Sequence, residues 1–319
     1  MKKILCVLMS CLLFVMAGCS GHSKNLKFGA ADIGGVYYSF ASTFTQLADK
    51  EIDGYTFETK TTAGSVANLR LISDGYIDLA IVQADLLSDA YNATGTFADK
   101  KYQKGYKAVA SLYTECCQIV VRKDSGITGI DDLINKTVSV GASESGSEKN
   151  AEQILKMSGI TDELINKVNM DYTEAAEKLK AGEIDAFFCT AGTRTEVIGQ
   201  LSKECDICLI SLDDKCIDKM LSAYSLCEKY IIPAGTYNGQ DSDVTTIGVK
   251  SVLIAKQSLS DDVIKNVTKT IYEHADDFKY ATSLDISFDI NTAADGVDIP
   301  FHSGAAAYYA EHGINVLTE

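Results

Sequence analysis

The chain has 319 residues, long enough for two hydrophobic cores, and its two Pro exclude a Pro-rich linker between them. Hydrophobic residues make up 46% of it, an ordinary share for a globular protein. A formal net charge of −15 argues against nucleic acid and anionic lipid surfaces as partners, and any site for an anion has to be built locally.

The first segment reads as a targeting signal. Lys2 and Lys3 precede an apolar run over residues 4–16, which is short for a bilayer span, and Met16-Ala17-Gly18-Cys19 follows. Small residues directly before a Cys, with a polar stretch after it, resemble a bacterial lipobox. Residues 1–18 are therefore expected to be a lipoprotein signal peptide, and Cys19 the acylated residue that tethers the chain to a bacterial membrane, at the cell surface or in the periplasm. An ordinary secretory signal with a chance Cys is the plainer alternative.

Beyond the leader one unit occurs twice. A strand ends at Gly29, and five residues later Gly34-Gly35 opens a helix over 36–49. An extended stretch over 55–62 leads to Ala63-Gly64-Ser65, with Ser65 as N-cap of a helix over 66–73, Gly75 as its stop, and a strand over 77–82. The second copy starts with a strand over 137–140 ending at Gly141, and Gly146-Ser147 opens a helix over 148–157. Thr173 is the expected cap of a helix over 174–180, Gly182 its stop, and 184–188 the closing strand. Strands alternating with helices predict parallel α/β sheets.

Two lobes need a hinge. Apolar runs over 117–122, 246–249 and 251–255 are expected to cross between lobes in opposite directions, with helices over 261–278 and 305–311 returning to the first lobe. The expected division is 19–115 for the first part of lobe 1, 116–245 for lobe 2, and 246–319 for the return strand and the rest of lobe 1. That is the arrangement of a two-lobed type II periplasmic binding protein.

In such sheets, ligands sit beyond the carboxyl ends of the strands. The loops there are rich in glycine and hydroxyl groups: Gly34-Gly35, Gly64-Ser65, the stretch with Ser143, Ser145, Gly146 and Ser147, and the turn with Ala191 and Gly192. Free N–H groups at helix starts attract carboxylate or phosphate, so convergence of these loops predicts an anion cradle. Arg194 follows the last loop and is either a bidentate carboxylate clamp or an exposed helix-start Arg. Arg70 is expected on a solvated helix face and Arg122 in a structural role. Gln83 and Asp85 follow a strand and are placed to read an ammonium or amide, while Tyr37 and Tyr113 either pack on the ligand or belong to the core.

Seven of the ten Cys lie after Cys19. Cys205-x-x-Cys208 lacks a second pair at zinc spacing, so buried thiols or one local disulfide are expected, with no metal or cofactor.

The segments Gly34-Gly35-Val36-Tyr37-Tyr38, Thr62-Ala63-Gly64-Ser65-Val66-Ala67-Asn68, Asp78-Leu79-Ala80-Ile81-Val82-Gln83-Ala84-Asp85 and Ile299-Pro300-Phe301-His302-Ser303-Gly304 resemble the TAXI family of solute receptors. Those receptors serve tripartite ATP-independent periplasmic (TRAP) transporters. The resemblance implies capture of glutamate or a similar small carboxylate or amino acid and delivery to an ion-gradient-driven permease in the membrane. A binding lipoprotein of an ABC importer is the alternative. A serine hydrolase using Ser143, Ser145 or Ser147 is remote, because residues 141–146 lack the spacing of a nucleophile elbow.

Overall fold

The computed structural model describes residues 23–99, 102, 105–283 and 288–319. The signal peptide and Cys19 lie outside the described residues. Strand β1 (Lys24–Gly29) leads to helix α1 (Val36–Glu51), β2 (Tyr55–Lys60), α2 (Ser65–Ser73), β3 (Leu79–Gln83) and α3 (Ala84–Asn92). The long strand β4 (Tyr106–Arg122) follows. The second copy of the unit then gives β5 (Thr137–Ser139), α4 (Gly146–Met157), β6 (Asn166–Val168), α5 (Tyr172–Ala181) and β7 (Ala186–Ala191). Next come α6 (Glu196–Glu204), β8 (Ile207–Leu209), α7 (Asp214–Ala223), β9 (Cys227–Ile232) and β10 (Val244–Lys256). Helices α8 (Asp261–Glu273), α9 (Ala275–Thr282) and α10 (Ser303–Glu311) complete the described chain.

The strands run in the order β2-β1-β3-β10-β4-β7-β5-β6, with β8 on β4 and β9 on β10. Within each repeat the pairings are parallel, β1 with β2 and β3, and β5 with β6 and β7. Strands β4 and β10 are antiparallel to each other and belong to both halves. β10 pairs β3 through residues 251–255 and β9 through 244–249. This is the type II periplasmic binding protein fold, two lobes on crossing strands.

The core divides into a larger cluster, which runs from the first half into Leu179, Phe187 and Ile198 of the second, and a smaller one in the second half. Phe28, Phe40, Phe44 and Phe278 anchor the first, with Phe40 stacked on Phe278 at 4.4 Å. Ile119, Val138, Ile154 and Phe188 anchor the second. Burying each such side chain stabilises by about 1.5–3 kcal/mol. The return helices α8–α10 pack on the first core through Val267, Phe278 and Tyr309.

Three local expectations change. The crossing strand starts at Tyr106, not at residue 117, because polar Thr114 and Glu115 interrupt an apolar run whose backbone over 106–116 still pairs with β10. Ser65 is not a cap but the first helical residue. Gly64 holds the cap position at φ 117°, a conformation that favours glycine. Asp171 rather than Thr173 caps α5, its carboxylate accepting from the Glu174 N–H at 2.8 Å. A short carboxylate at that position outcompetes a hydroxyl two residues inside the helix.

The β4–β10 ladder slips twice. Lys250 faces Thr114 while Val252 faces Ser111, so β4 carries a surplus residue, and a second slip lies between Leu253 and Ile254. The Ser251 hydroxyl fills the first bulge, accepting from Tyr113 N–H at 3.3 Å and donating to Tyr113 O at 3.0 Å. Bulges bend a strand and re-aim its side chains, and this one lies two residues before Glu115.

Candidate functional site

Loop positions in the first half are fixed by one buried amide. Asn68, fully buried on α2, donates to Ala30 O at 2.7 Å and Ile81 O at 2.9 Å, tying the exit of β1 to β3. Thr62 donates to its carbonyl at 2.7 Å. The Gly64 turn is thereby held against the carboxyl end of the sheet.

Across from it stands the start of α4. The Ser145 hydroxyl accepts from Glu148 N–H at 3.0 Å and caps the helix. A Cβ placed on Gly64 would lie 3.5 Å from Ser145 Cα, so the two loops touch. Arg70 grips Glu144 with Nε at 3.1 Å and Nη2 at 2.6 Å, and Ala67 N–H donates to Glu144 O at 3.0 Å. Arg70 is thus an inter-lobe partner, not a residue of a solvated face; its partner lies 74 residues away, beyond the reach of helical periodicity.

Between these walls lies a cavity of about 30 Å³. One water needs roughly 10–15 Å³ on this measure, so a larger solute enters only once the walls part. Gly35, Tyr37, Gly64, Ser65, Gln83 and Ser145 line it, and so do Gly146, Ser147 and Ala191. Three helix starts, those of α1, α2 and α4, therefore meet at one space. Among the described residues, none of the cavity's lining groups is Lys, Arg or His.

Other expected site residues fall elsewhere. Ser143 is exposed at the outer edge of its loop, and Gly192 lies past the end of β7 and away from the lining. Arg194 is exposed, with a left-handed backbone (φ 67°), and does not reach the cavity; a turn before α6 points it outward. Gly34 lines a wider neighbouring groove of about 450 Å³, where the exposed Ile33 faces Glu177, Glu196 and Glu204. Asp85 is buried in the first turn of α3 behind the cavity, and burial pushes its carboxyl up to about 6. Tyr113 is a core residue beside Glu115.

The hydroxyls in the lining hold the fold as well. The Ser147 hydroxyl accepts from Thr190 N–H at 2.8 Å and contacts the Tyr172 hydroxyl, which itself donates to Thr190 O at 3.0 Å. Its partners are a phenol and a peptide, not an imidazole. Ser65 accepts from Gln83 N–H at 3.1 Å.

Three polar lining residues escape sequence reasoning, Asp32, Glu115 and Tyr172, while Thr190 belongs to the loop before Arg194 that the sequence points to. Glu115, 3% exposed, is the most consequential. Its Oε2 accepts from Tyr37 OH at 3.0 Å and Gln83 Nε2 at 3.2 Å. Burial drives its carboxyl up to about 8. Asp32 rises to about 6, through burial and then the nearby Asp171. A Glu inside a largely apolar run was the available signal.

The described residues contain no disulfide among their seven Cys, no metal-binding cluster of three or more His, Cys, Asp or Glu, and no helix long and apolar enough to cross a membrane.

Fold and cleft define a type II periplasmic binding protein architecture. The model of the NMT1-like family matches residues 28–313, and the chain belongs to that family. Solved structures share the fold at low identity. PhnD1 from Prochlorococcus marinus, in complex with methylphosphonate, is 12% identical over 83% of this chain and 93% of that one, with a TM-score of 0.59. A putative L-cystine ABC transporter protein from Listeria monocytogenes is 14% identical over 82% and 94%, with a TM-score of 0.52. The alkanesulfonate-binding protein SsuA from Xanthomonas axonopodis pv. citri, bound to MOPS, is 13% identical over 90% and 83%, with a TM-score of 0.50.

Proposed function

We propose that the protein is an extracytoplasmic solute-binding receptor that closes on a small organic acid or amino acid, glutamate or a similar carboxylate, and hands it to a membrane permease. The observation that carries this reading is the meeting of the Gly64 and Ser145–Gly146 helix starts across one cavity. Backbone N–H groups at helix starts favour an anionic group without a cationic side chain. The lobes are taken as 19–115 with 246–319, and 116–245, and ligand capture as closure about the β4–β10 pair. Cys19 would carry the lipid anchor, and no catalytic step is involved.

Two permeases fit. The Listeria neighbour, described as belonging to an ABC transporter, favours an ATP-driven importer. The segments resembling TAXI receptors favour a TRAP permease driven by an ion gradient. Thermal melting against a panel of amino acids, dicarboxylates, sulfonates and phosphonates tests the receptor reading, since a ligand of the folded state raises Tm by mass action. No shift with any of them would overturn it. Uptake in vesicles carrying the partner permease, with ATP or with an ion gradient, separates the two permease classes.

A further inference from the structure

We infer that Glu115, Gln83 and Thr190 form an acceptor subsite for a protonated amine on the solute, with Glu115 as the specificity-determining residue. This rests on the receptor reading above and narrows its solute class from organic acids in general to those that also carry an amine.

The cavity holds acceptors and lacks positive charge. Two carboxyl groups, Glu115 and Asp32, line it, and no Lys, Arg or His does so among the described residues. Gln83 Nε2 donates both to Glu115 and to Asn150 Oδ1, at 3.1 Å, which fixes the amide so that Oε1 is the acceptor turned toward Gly146. That Oε1 is buried with no hydrogen-bond partner, and Thr190 Oγ1 has only the Cys117 thiol beside it. Buried polar atoms are rarely left unpaired. An ammonium offers three donors and no acceptor, matching Glu115, Gln83 Oε1 and Thr190 Oγ1. A simple carboxylate would bring nothing to donate to Gln83 Oε1, which can only accept.

The groups facing Glu115 supply no competing cation. They are Tyr37 from α1, Asp85 from α3, Tyr172 from α5, Cys189 from β7, and Tyr113 and Cys116 on its own strand. Burial keeps Glu115 protonated at neutral pH, and an arriving ammonium ionises it. Amine binding therefore releases a proton, and affinity rises with pH up to about 8 by at most about tenfold per unit. A solute that brings only carboxylates reverses the sign, because Glu115 must then stay protonated.

Titration calorimetry of the protein with L-glutamate, L-glutamine and L-cystine, against glutarate and 2-oxoglutarate, tests this. It should be run at about pH 6 and about pH 8, in two buffers of different ionisation enthalpy. We expect an amino acid to bind at least about tenfold tighter than the amine-free acids, with proton release. Glu115→Gln should remove most of that preference and flatten the pH dependence, while melting without solute shows the fold retained. The wild-type comparison stands even if that variant misfolds. An amine-free acid binding as tightly, or proton uptake on binding, overturns the subsite but leaves the receptor reading. Binding by neither class overturns both.

Discussion

Arg70 and Glu144 join opposite walls of the cleft in a two-pronged ion pair, 74 residues apart in the chain. Glu144 sits at φ 65°, and its own N–H is held by Glu148 Oε2 at 3.0 Å. Both side chains are partly exposed, so the pair contributes at most about 1 kcal/mol. Arg70→Gln should open the cleft, weakening solute binding by roughly fivefold with little change in Tm. Small-angle scattering and titration check this; an unchanged radius of gyration and affinity would remove the pair from the closure.

Gly146 allows the walls to meet. A Cβ there would lie 2.3 Å from Gln83 Oε1 and 2.4 Å from Cδ. Gly146→Ala should push the Gln83 amide off Glu115 and Asn150, holding the lobes apart. Each core stays folded, so far-ultraviolet circular dichroism should be unchanged while affinity drops by about tenfold or more.

Gly64 faces the same contact but acts through its backbone. At φ 117° and ψ −149° it occupies a region essentially reserved for glycine. Gly64→Ala should cost about 1–3 kcal/mol of stability, visible by chemical denaturation even without solute. If its stability matches wild type, the strained turn is not needed for folding.

Five thiols, Cys116, Cys117, Cys189, Cys216 and Cys227, are buried, and burial pushes Cys117 up to about 12. Cys205 and Cys208 are half-buried. A charged maleimide should therefore label those two in the native protein and the other five only after denaturation, as peptide mass mapping would reveal.

Stability should depend on pH through Glu115. Its folded carboxyl lies at about 8 against an ordinary 4.5, so the unfolded state binds fewer protons in between. The stability it contributes is full below about pH 4.5 and is lost as pH rises toward about 8. The Tm of wild type relative to Glu115→Gln should fall across that window by several degrees, each kcal/mol being worth roughly 2–4 °C in domains of this order. A constant difference would mean that Glu115 titrates normally.

Much of this architecture is legible in the chain. The paired Gly-x4-Gly spacings, Gly29 to Gly34 and Gly141 to Gly146, mark the strand-to-helix turns; Gly141 is needed for its positive φ of 101°, while Gly29 and Gly146 are needed because Ile77 and Gln83 approach too closely for a Cβ. Local patterning also places Gly64 and Gly146 at helix starts. It does not find Glu115, whose hydrogen-bond partners Tyr37 and Gln83 are 78 and 32 residues away. Arg194 shows the converse limit. Its position after a glycine-rich loop fits a clamp or an exposed helix-start Arg equally, and the left-handed turn that directs it to solvent selects the second. Proximity in sequence fixes where a side chain begins, whereas backbone handedness decides where it ends.

The surplus residue in β4 gives the angle between the lobes a digital character. With Lys250 opposite Thr114 and Val252 opposite Ser111, the bend is stored as a count of residues and not as a contact that side-chain exchange could erode. Substitutions along 111–114 leave that count intact, whereas loss of one residue there would remove this slip, keep the second one between Leu253 and Ile254, and change the bend with both cores untouched. Lobe orientation in this chain is thus robust to point mutation and brittle to insertion or deletion, and the length of this short segment is where closure geometry can change in a single step.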